Sequence, residues 1–436
     1  MTNKPGAGTK GKVAGLDVRL MAVQVLQSVL KGGSFEPLGE KQIADSRDRA
    51  LANRLVTTAL GRHGHLDKII AASLDKGLPQ RSGLFEAALR VGLSELLFLD
   101  GADHSAIFVA VEIIRGDRRA GRFAKLANAV LRQAQRDRDK WLSLAAADAL
   151  PGAVRQRWSQ LYDGKTISHF GEALLAGPDL DLTVRSDAAG WAERLGGVVL
   201  NDQSVRIENR DKRVAELAGY TEGQWWVQDF AAALPARMIT APGGASVLDL
   251  CTAPGGKSAQ LAARGYDVIA VDVDDKRMGR VAENLARLDL EAQLIVADAL
   301  SFDDGRRFDA ILLDAPCSAT GTFRRHPEVL LNRTAKDIAE MAALQAGLID
   351  HALGLLNPGG ELVYCTCSLE PEEGESQVAA ALSRHQDLAV APISEDGPWS
   401  GIGAVTGAGW LRTHPGLCVG NRRGMDGFFA VRFKFA

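Results

Sequence analysis

The sequence contains no apolar run of 18 residues, so no membrane-spanning helix is expected. It has five cysteines, Cys251, Cys317, Cys365, Cys367 and Cys418. So few, and an odd number, argue against a disulfide framework and for a reducing, cytoplasmic setting. The opening stretch TNKPGAGTKGK lacks the apolar segment of a secretory leader, and residues 1–15 read as a disordered tail. With 46% hydrophobic and 24% charged residues, the chain is neither disordered nor fibrous.

What is present is a long, soluble-looking chain of 436 residues and 46.5 kDa, enough for about three domains. The net charge of −3 hides an asymmetry: residues 1–150 hold 23 Lys and Arg against 16 Asp and Glu, the remainder 28 against 38. A basic first third suits an anionic partner, although solvated helix faces would look the same. Residues 16–138 carry apolar residues at helical spacing throughout, as in Leu20, Val23, Leu26, Leu30 and in Leu51, Leu55, Val56, Leu60. A helical bundle follows. Residues 139–235 read as a small linking domain, helical at first. It then carries short strands at Leu182–Arg185, Val198–Leu200 and Trp225–Val227. From 236 to 436 apolar strands alternate with helices, the pattern of a parallel sheet covered on both faces, with ligands at the carboxyl ends of the strands. The predicted strands include Val247–Leu250, Val268–Val271, Leu294–Val296, Ala310–Leu313 and Glu361–Tyr364.

Each of those strand ends carries a polar residue or a turn. After the first comes Cys251-Thr252-Ala253-Pro254-Gly255-Gly256-Lys257, whose small residues let backbone N–H groups approach a ligand carboxylate. Asp272 ends the second strand, 16 residues beyond Gly256, where a carboxylate can accept from both hydroxyls of a ribose. Asp298 follows the third, within reach of a ligand amine. The turn is neither the dinucleotide fingerprint nor a Walker loop. With a ribose-binding Asp and no diphosphate cradle, S-adenosylmethionine is the expected ligand. Singly, Asp272 could be a helix cap and Asp298 a surface turn; in register they point to one site.

The fourth and fifth strands end in Asp314-Ala315-Pro316-Cys317 and Tyr364-Cys365-Thr366-Cys367, which brings Cys317 and Cys367 into one cleft. A thiolate beside S-adenosylmethionine suits methylation of a pyrimidine C5, a carbon that becomes nucleophilic only after a thiolate adds to C6. Asp314 is placed to stabilise such an adduct near N3 or N4. Cys418, Cys251 and Cys365 read as small buried hydrophobes. No Cys/His set at zinc spacing accompanies Cys365-x-Cys367, and no metal is expected.

These motifs resemble the RNA cytosine-C5 methyltransferases of the Nol/Nop/Sun type: DLCTAPGGK (249–257), Asp272, Asp298, DAPCSATGT (314–322) with RRHPE (324–328), YCTCS (364–368) and DGFF (426–429). The resemblance implies Cys367 as the nucleophile, Cys317 as the group that helps release product, and Asp314 and Lys257 on the cytosine edge. It implies a cofactor site of Cys251, Thr252, Ala253, Pro254, Gly255, Gly256, Lys257, Asp272, Arg277, Asp298 and Asp314. The stretches DRALANRLVTTALGR (48–62), HSAIFVAVEII (104–114) and LANAVLR (126–132) resemble a NusB-like RNA-binding domain. In the family that pairing implies a bacterial enzyme acting on 16S rRNA, with no DNA or membrane partner, and a monomer is expected. Two features depart from the pattern: Thr252 stands where Ala is common, and VLLNRT follows HPE in place of Trp-Leu-Arg.

Other readings compete. The same chemistry could act on tRNA or another RNA. A non-catalytic RNA-binding assembly factor would not need the full set of cysteines, aspartates and Lys257. A dehydrogenase would need the missing dinucleotide fingerprint. Trp225, Trp226 and Phe323 could offer stacking surfaces to a flipped base, with core packing as the plainer role.

Overall fold

A computed structural model of the chain describes residues 15–208 and 213–435; the tail expected at 1–15 lies outside these except for Gly15. Contacts divide the chain into two units: residues up to Leu175 together with His326–Asn332, and Ala176–Arg325 together with Arg333 onward.

The first unit is helical. It comprises α1 (Leu16–Val29), α2 (Ser46–Gly61), α3 (His63–Ser73), α4 (Phe85–Phe98), α5 (Asp103–Gly116), α6 (Ala124–Arg136), α7 (Arg138–Leu142), α8 (Gly152–Trp158) and α9 (Gly164–Ala176). One helix start is chemically marked: Asp45 caps α2 by accepting from the Arg47 and Asp48 amides. Helix α4 is apolar around nearly its whole circumference and forms the centre of the bundle, where Leu89 and Leu93 are fully buried with Leu26, Leu55 and Leu131. Each such leucine is worth about 1.5–3 kcal/mol of burial. The one cation on this buried helix, Arg90, is held by Glu86 at 3.0 Å and Asp67 at 2.7 Å.

The second unit holds two larger sheets. A four-stranded antiparallel sheet, in the order β2-β3-β1-β4, is made of β1 (Leu180–Val184), β2 (Gly197–Asn201), β3 (Ser204–Ile207) and β4 (Trp225–Val227), with α10 (Ala188–Leu195) packed on it. The chain then runs through α11 (Phe230–Ala233), β5 (Ser246–Leu250), α12 (Gly256–Ala263), β6 (Asp267–Asp272), α13 (Asp275–Leu288), β7 (Gln293–Val296) and β8 (Phe308–Asp314). After α14 (Val329–Asn332), which belongs to the first unit, it continues with α15 (Ala335–Gly354), β9 (Leu356–Thr366), α16 (Glu375–Arg384), β10 (Leu388–Val390), β11 (Leu411–Arg412), the small ribbon β12 (Cys418–Val419) and β13 (Arg422–Arg423), and β14 (Phe429–Phe435). The main sheet has the order β10-β14-β9-β8-β5-β6-β7, parallel from β9 to β7, with β14 antiparallel against β9.

Both faces of this sheet are covered, which is why its strands read as continuous apolar runs. Side chains alternate between the two cores: Ile311 and Leu313 with Leu248 and Leu362 on one face, Ala310 and Leu312 with Val247 and Val363 on the other. The register aligns the carboxyl ends, Leu250 opposite Leu313 and Val271, and Asp314 opposite Cys365. Helix α15 ends at Gly354 with Leu355 as its cap, before the Asn357-Pro358-Gly359-Gly360 segment whose composition signals a helix stop; that segment lies inside the start of β9, beside a register shift against β8.

Candidate active site

The carboxyl ends of β5, β8 and β9 open onto a cavity of about 480 Å³ within the second unit. Its wall includes Cys251 to Pro254, Gly256, Lys257, Arg277, Asp314, Cys317 and Cys367. Chain tracing alone explains this convergence: β5, β8 and β9 are neighbours, parallel and in register, so the residue after each strand enters the same opening.

The turn after β5 is shaped by backbone constraints. Gly255 has φ of 92°, and a Cβ there would fall 2.8 Å from Val281, so both conformation and space require glycine. The turn feeds α12, whose first two residues, Gly256 and Lys257, line the cavity. Asp272, at the end of β6, is 3% exposed and accepts from the Ala253 amide at 3.0 Å and the Asp274 amide at 3.1 Å. A carboxylate has about four acceptor positions, so two remain for hydroxyl donors. Arg277 donates to the Ala253 carbonyl at 2.7 Å and stands 3.6 Å from Asp272. A helix start and a cavity of this size fit S-adenosylmethionine; Asp272 stands behind Ala253 and Arg277 of the cavity wall, not in the wall itself. Asp298 is exposed and is not in the cavity wall; its carboxylate accepts from the Leu300 amide at 3.0 Å.

Lys257 reaches across to Asp314, with Nζ 2.7 Å from Oδ2, and lies over the Phe428 ring at 5.0 Å. Burial alone would lower the ammonium's pKa, but Asp314 beside it holds it above its ordinary value. Behind this pair Asp249 is fully buried; Thr252 and Ser258 donate to its Oδ2 while Oδ1 has no partner. Burial pushes its pKa up to about 6.

The two thiols meet: Cys317 Sγ lies 3.4 Å from Cys367 Sγ. The hydrogen bond to Cys367 and burial raise the Cys317 thiol well above its ordinary pKa. Cys365 points away, fully buried, and its thiol donates to Asp314 Oδ1 at 3.4 Å. Cys251 lines the cavity with its thiol pushed up to about 12 by burial, and neither it nor Cys365 is poised as a thiolate. Cys418 lies partly exposed on β12.

The loops that carry the thiols are tied together by residues that sequence reasoning passed over. Glu373 is fully buried; its Oε1 accepts from the Ser318 amide at 2.8 Å and from Gln345 at 3.1 Å. Its Oε2 accepts from the hydroxyls of Ser318 and Ser368. One carboxylate thus holds the residue after each thiol. Gly321 adds a second tie, donating to the Cys367 carbonyl at 3.0 Å while accepting from Gly427 at 2.9 Å. A Cβ at Gly321 would fall 1.9 Å from the Gly427 oxygen. Arg325, in the cavity wall, is paired with the fully buried Asp426. Arg324 binds Asp229 at 2.8 Å, and the Asp426 amide donates to that same Asp229 at 3.0 Å. The sequence signal for this cluster was that Val227-Gln228-Asp229, RRHPE and DGFF each fit the family's motifs; nothing in composition linked them. Trp225, Trp226 and Phe323 are all buried and serve the core.

Among the described residues no group of His, Cys, Asp or Glu could hold a metal, and no helix is long and apolar enough to cross a membrane.

Comparison with known proteins agrees with this geometry. The family model for the 16S rRNA methyltransferase RsmB/F matches residues 238–434, and the NusB family model matches 16–136. Ribosomal RNA small subunit methyltransferase B of Shewanella oneidensis is 33% identical, over 96% of this chain and 99% of that protein. The protein of the same name from Xanthomonas campestris pv. campestris is 35% identical, over 95% and 96%. The crystal structure of PH0851 shares the fold with a TM-score of 0.71 at 22% identity, covering 98% of this chain and 100% of that chain. Covered almost end to end by such relatives, the chain belongs to the RsmB/F family of rRNA methyltransferases, enzymes that depend on S-adenosylmethionine, and joins that catalytic domain to a NusB-family helical domain.

Proposed function

We propose that the protein forms 5-methylcytidine in 16S rRNA through a covalent bond between Cys367 and C6 of the target base. The observation that carries this reading is the pair of thiols 3.4 Å apart beside Lys257 and Asp314 in one cavity. Bound S-adenosylmethionine supplies an electrophilic methyl group on a sulfonium. Cys251 to Lys257, Arg277 and Asp314 would hold it, with Asp272 for the ribose; Asp298, exposed and outside the cavity wall, is not part of that set.

Cys367 adds as a thiolate to C6, and the ring's C5–C6 π electrons become available at C5 to take the methyl group. The methyl's bond to sulfur breaks with its electron pair staying on the sulfur. Lys257 and Asp314 present a donor and an acceptor to the cytosine edge and stabilise charge that develops on the ring. The C5 proton must then leave. Part of what keeps the proton on Cys317 is its hydrogen bond to Cys367. Once Cys367 is bonded to carbon it is neutral and a poorer acceptor, so Cys317 gives its own proton to water in the open cavity and, as a thiolate, takes the one from C5, ending as the thiol it began as. The C5–H electrons restore the double bond, and the C6–S pair returns to Cys367. The target base has to leave its stack to reach these groups.

In this reading residues 16–138 bind RNA, 139–235 connect, and 236–436 carry out catalysis. The protein works as a cytoplasmic monomer on RNA, without a DNA or membrane partner; reduced thiols are a requirement of the chemistry.

The test is transfer of labelled methyl to protein-free 16S rRNA by wild type, Cys367→Ala and Cys317→Ala, with digestion to nucleosides. Label in 5-methylcytidine from wild type alone, and an SDS-resistant RNA adduct from Cys317→Ala, are expected. An adduct in the double variant would overturn the thiol roles. Label only in tRNA would move the substrate.

A further inference from the structure

Helices α5 and α6 of the helical unit enclose a second cavity, of about 340 Å³, remote in sequence from every residue of the methyl-transfer site. Its floor is apolar, built from Ile107 and Val111 of α5 and Ala124 of α6. Its rim is basic: Arg115, Lys125 and Arg132 surround it, with Glu112 as the single carboxylate, ion-paired to Arg115. Phe108 stands at the opening with 45% of its surface exposed. His104, one turn earlier on the same helix face, lies nearly parallel to it, with ring centroids 6.3 Å apart and planes inclined by 13°. The surrounding stretch from 115 to 132 carries six Lys and Arg against one Asp.

An exposed phenylalanine alone needs no explanation, and basic residues on a helix face are usually solvated. Here the aromatic ring, the apolar slot and the cations converge on one groove. A protein groove would be expected to favour more apolar surface and fewer cations at its rim. A nucleobase is flat and apolar on its faces and always follows a phosphate, so it matches an aromatic platform edged with cations. We propose that this groove binds an unpaired segment of the RNA substrate, with a base stacked on Phe108 and phosphates against Arg115, Lys125 and Arg132. The proposal rests on the reading of the protein as an RNA methyltransferase and assigns a specific surface to substrate capture.

The test uses the full chain and a fluorescein-labelled, single-stranded RNA 12-mer of mixed sequence, with affinity read by anisotropy over a range of salt. Phe108→Ala is expected to weaken binding about tenfold, the range for loss of one base–aromatic stack. Phe108→Tyr keeps a ring and should retain affinity. The variant Arg115→Gln, Lys125→Gln, Arg132→Gln should reduce the slope of log affinity against log salt by about two, at about 0.7 per phosphate contact. With 16S rRNA, Phe108→Ala should raise KM and leave kcat unchanged, because nothing in the reacting centre is touched. Unchanged RNA affinity in both variants overturns the proposal and leaves the groove to a protein partner. A lowered salt slope with Phe108→Ala unaffected overturns the base-stacking assignment. If wild type methylates no RNA at all, the functional reading fails, while the 12-mer still decides whether the groove binds RNA.

Discussion

In the helical unit the cations of the 115–132 stretch lie on the surface, where Arg115, Arg118, Arg119, Arg122 and Lys125 are all exposed. In the sheet unit Arg206, Lys257 and Arg324 are buried, each against a carboxylate: Asp181 at 2.7 Å, Asp314 at 2.7 Å and Asp229 at 2.8 Å. Arg90 is the helical unit's exception, buried on α4 against Glu86 and Asp67. The difference follows from what each charge does. An exposed cation attracts phosphate at a distance and is screened by salt. A buried one has lost its water, so it is tolerated only with a partner in a fixed direction, and that fixed direction is what a reacting centre needs.

The comparison is sharpest where a buried pair is broken. Asp426→Asn strips Arg324 and Arg325 of a fully buried partner, and a loss of about 3–5 kcal/mol in urea unfolding is expected. A loss below 1 kcal/mol would mean that Asp229 alone satisfies the cluster.

Glu373→Ala removes the anchor common to both thiol loops. Methyl transfer should fall about 100-fold or more, because a shift of about 1 Å in a reacting group costs that much. Affinity for S-adenosylmethionine should hold, and Glu373→Gln should recover part of the rate. Equal loss of cofactor affinity would make Glu373 a general fold residue.

Acid should move the two units in opposite directions through one residue each. His63 in α3 is partly buried, and that desolvation, with Arg90 beside it, lowers its pKa from 6.5 to about 4. Below pH 6.5 the unfolded chain takes up a proton that the folded one refuses, so this residue's contribution is present above 6.5 and lost as pH falls towards 4. Asp249 behaves oppositely: with its folded pKa near 6 against an ordinary 3.8, its contribution is full below 3.8 and lost as pH rises through 6. At about 1.4 kcal/mol per pH unit, each effect is limited to about 3 kcal/mol. The stability difference between wild type and His63→Asn should therefore move against wild type on acidification, and that for Asp249→Asn should move towards it. The same sign in both would show that burial is not the cause.

The smallest effect is expected at the surface. Arg118→Ala should change stability by less than about 0.5 kcal/mol. A loss comparable to that of Asp426→Asn would erase the contrast between the units.

The strand ends were legible because a short continuous apolar run and a following Gly, Asp or Cys are local features. Hence Cys251, Asp272, Asp314, Cys317 and Cys367 could be placed from sequence. Glu373 was not, since it follows YCTCS inside the acidic run Glu370-Pro371-Glu372-Glu373, which reads as solvated chain. Its burial depends on Ser318 and Gln345 arriving from two other segments to join the nearby Ser368. Strand β3, Ser204–Ile207, was not among the expected strands: Ser-Val-Arg-Ile offers no apolar run, and its Arg206 is buried only because Asp181 of β1 lies beside it.

Sequence by itself determined the succession of a helical bundle and a doubly covered parallel sheet, the residues at each strand end and the presence of two thiols on neighbouring ends. These follow from periodicity and turn chemistry, which act over a few residues. Tertiary structure alone decided the 3.4 Å between the thiols, the carboxylate that holds their loops and the burial of the Arg324, Arg325 and Asp426 cluster. It also decided the slot beneath Phe108. Each of these joins side chains from separate elements, and a buried charge or a shaped cavity exists only once those elements have packed.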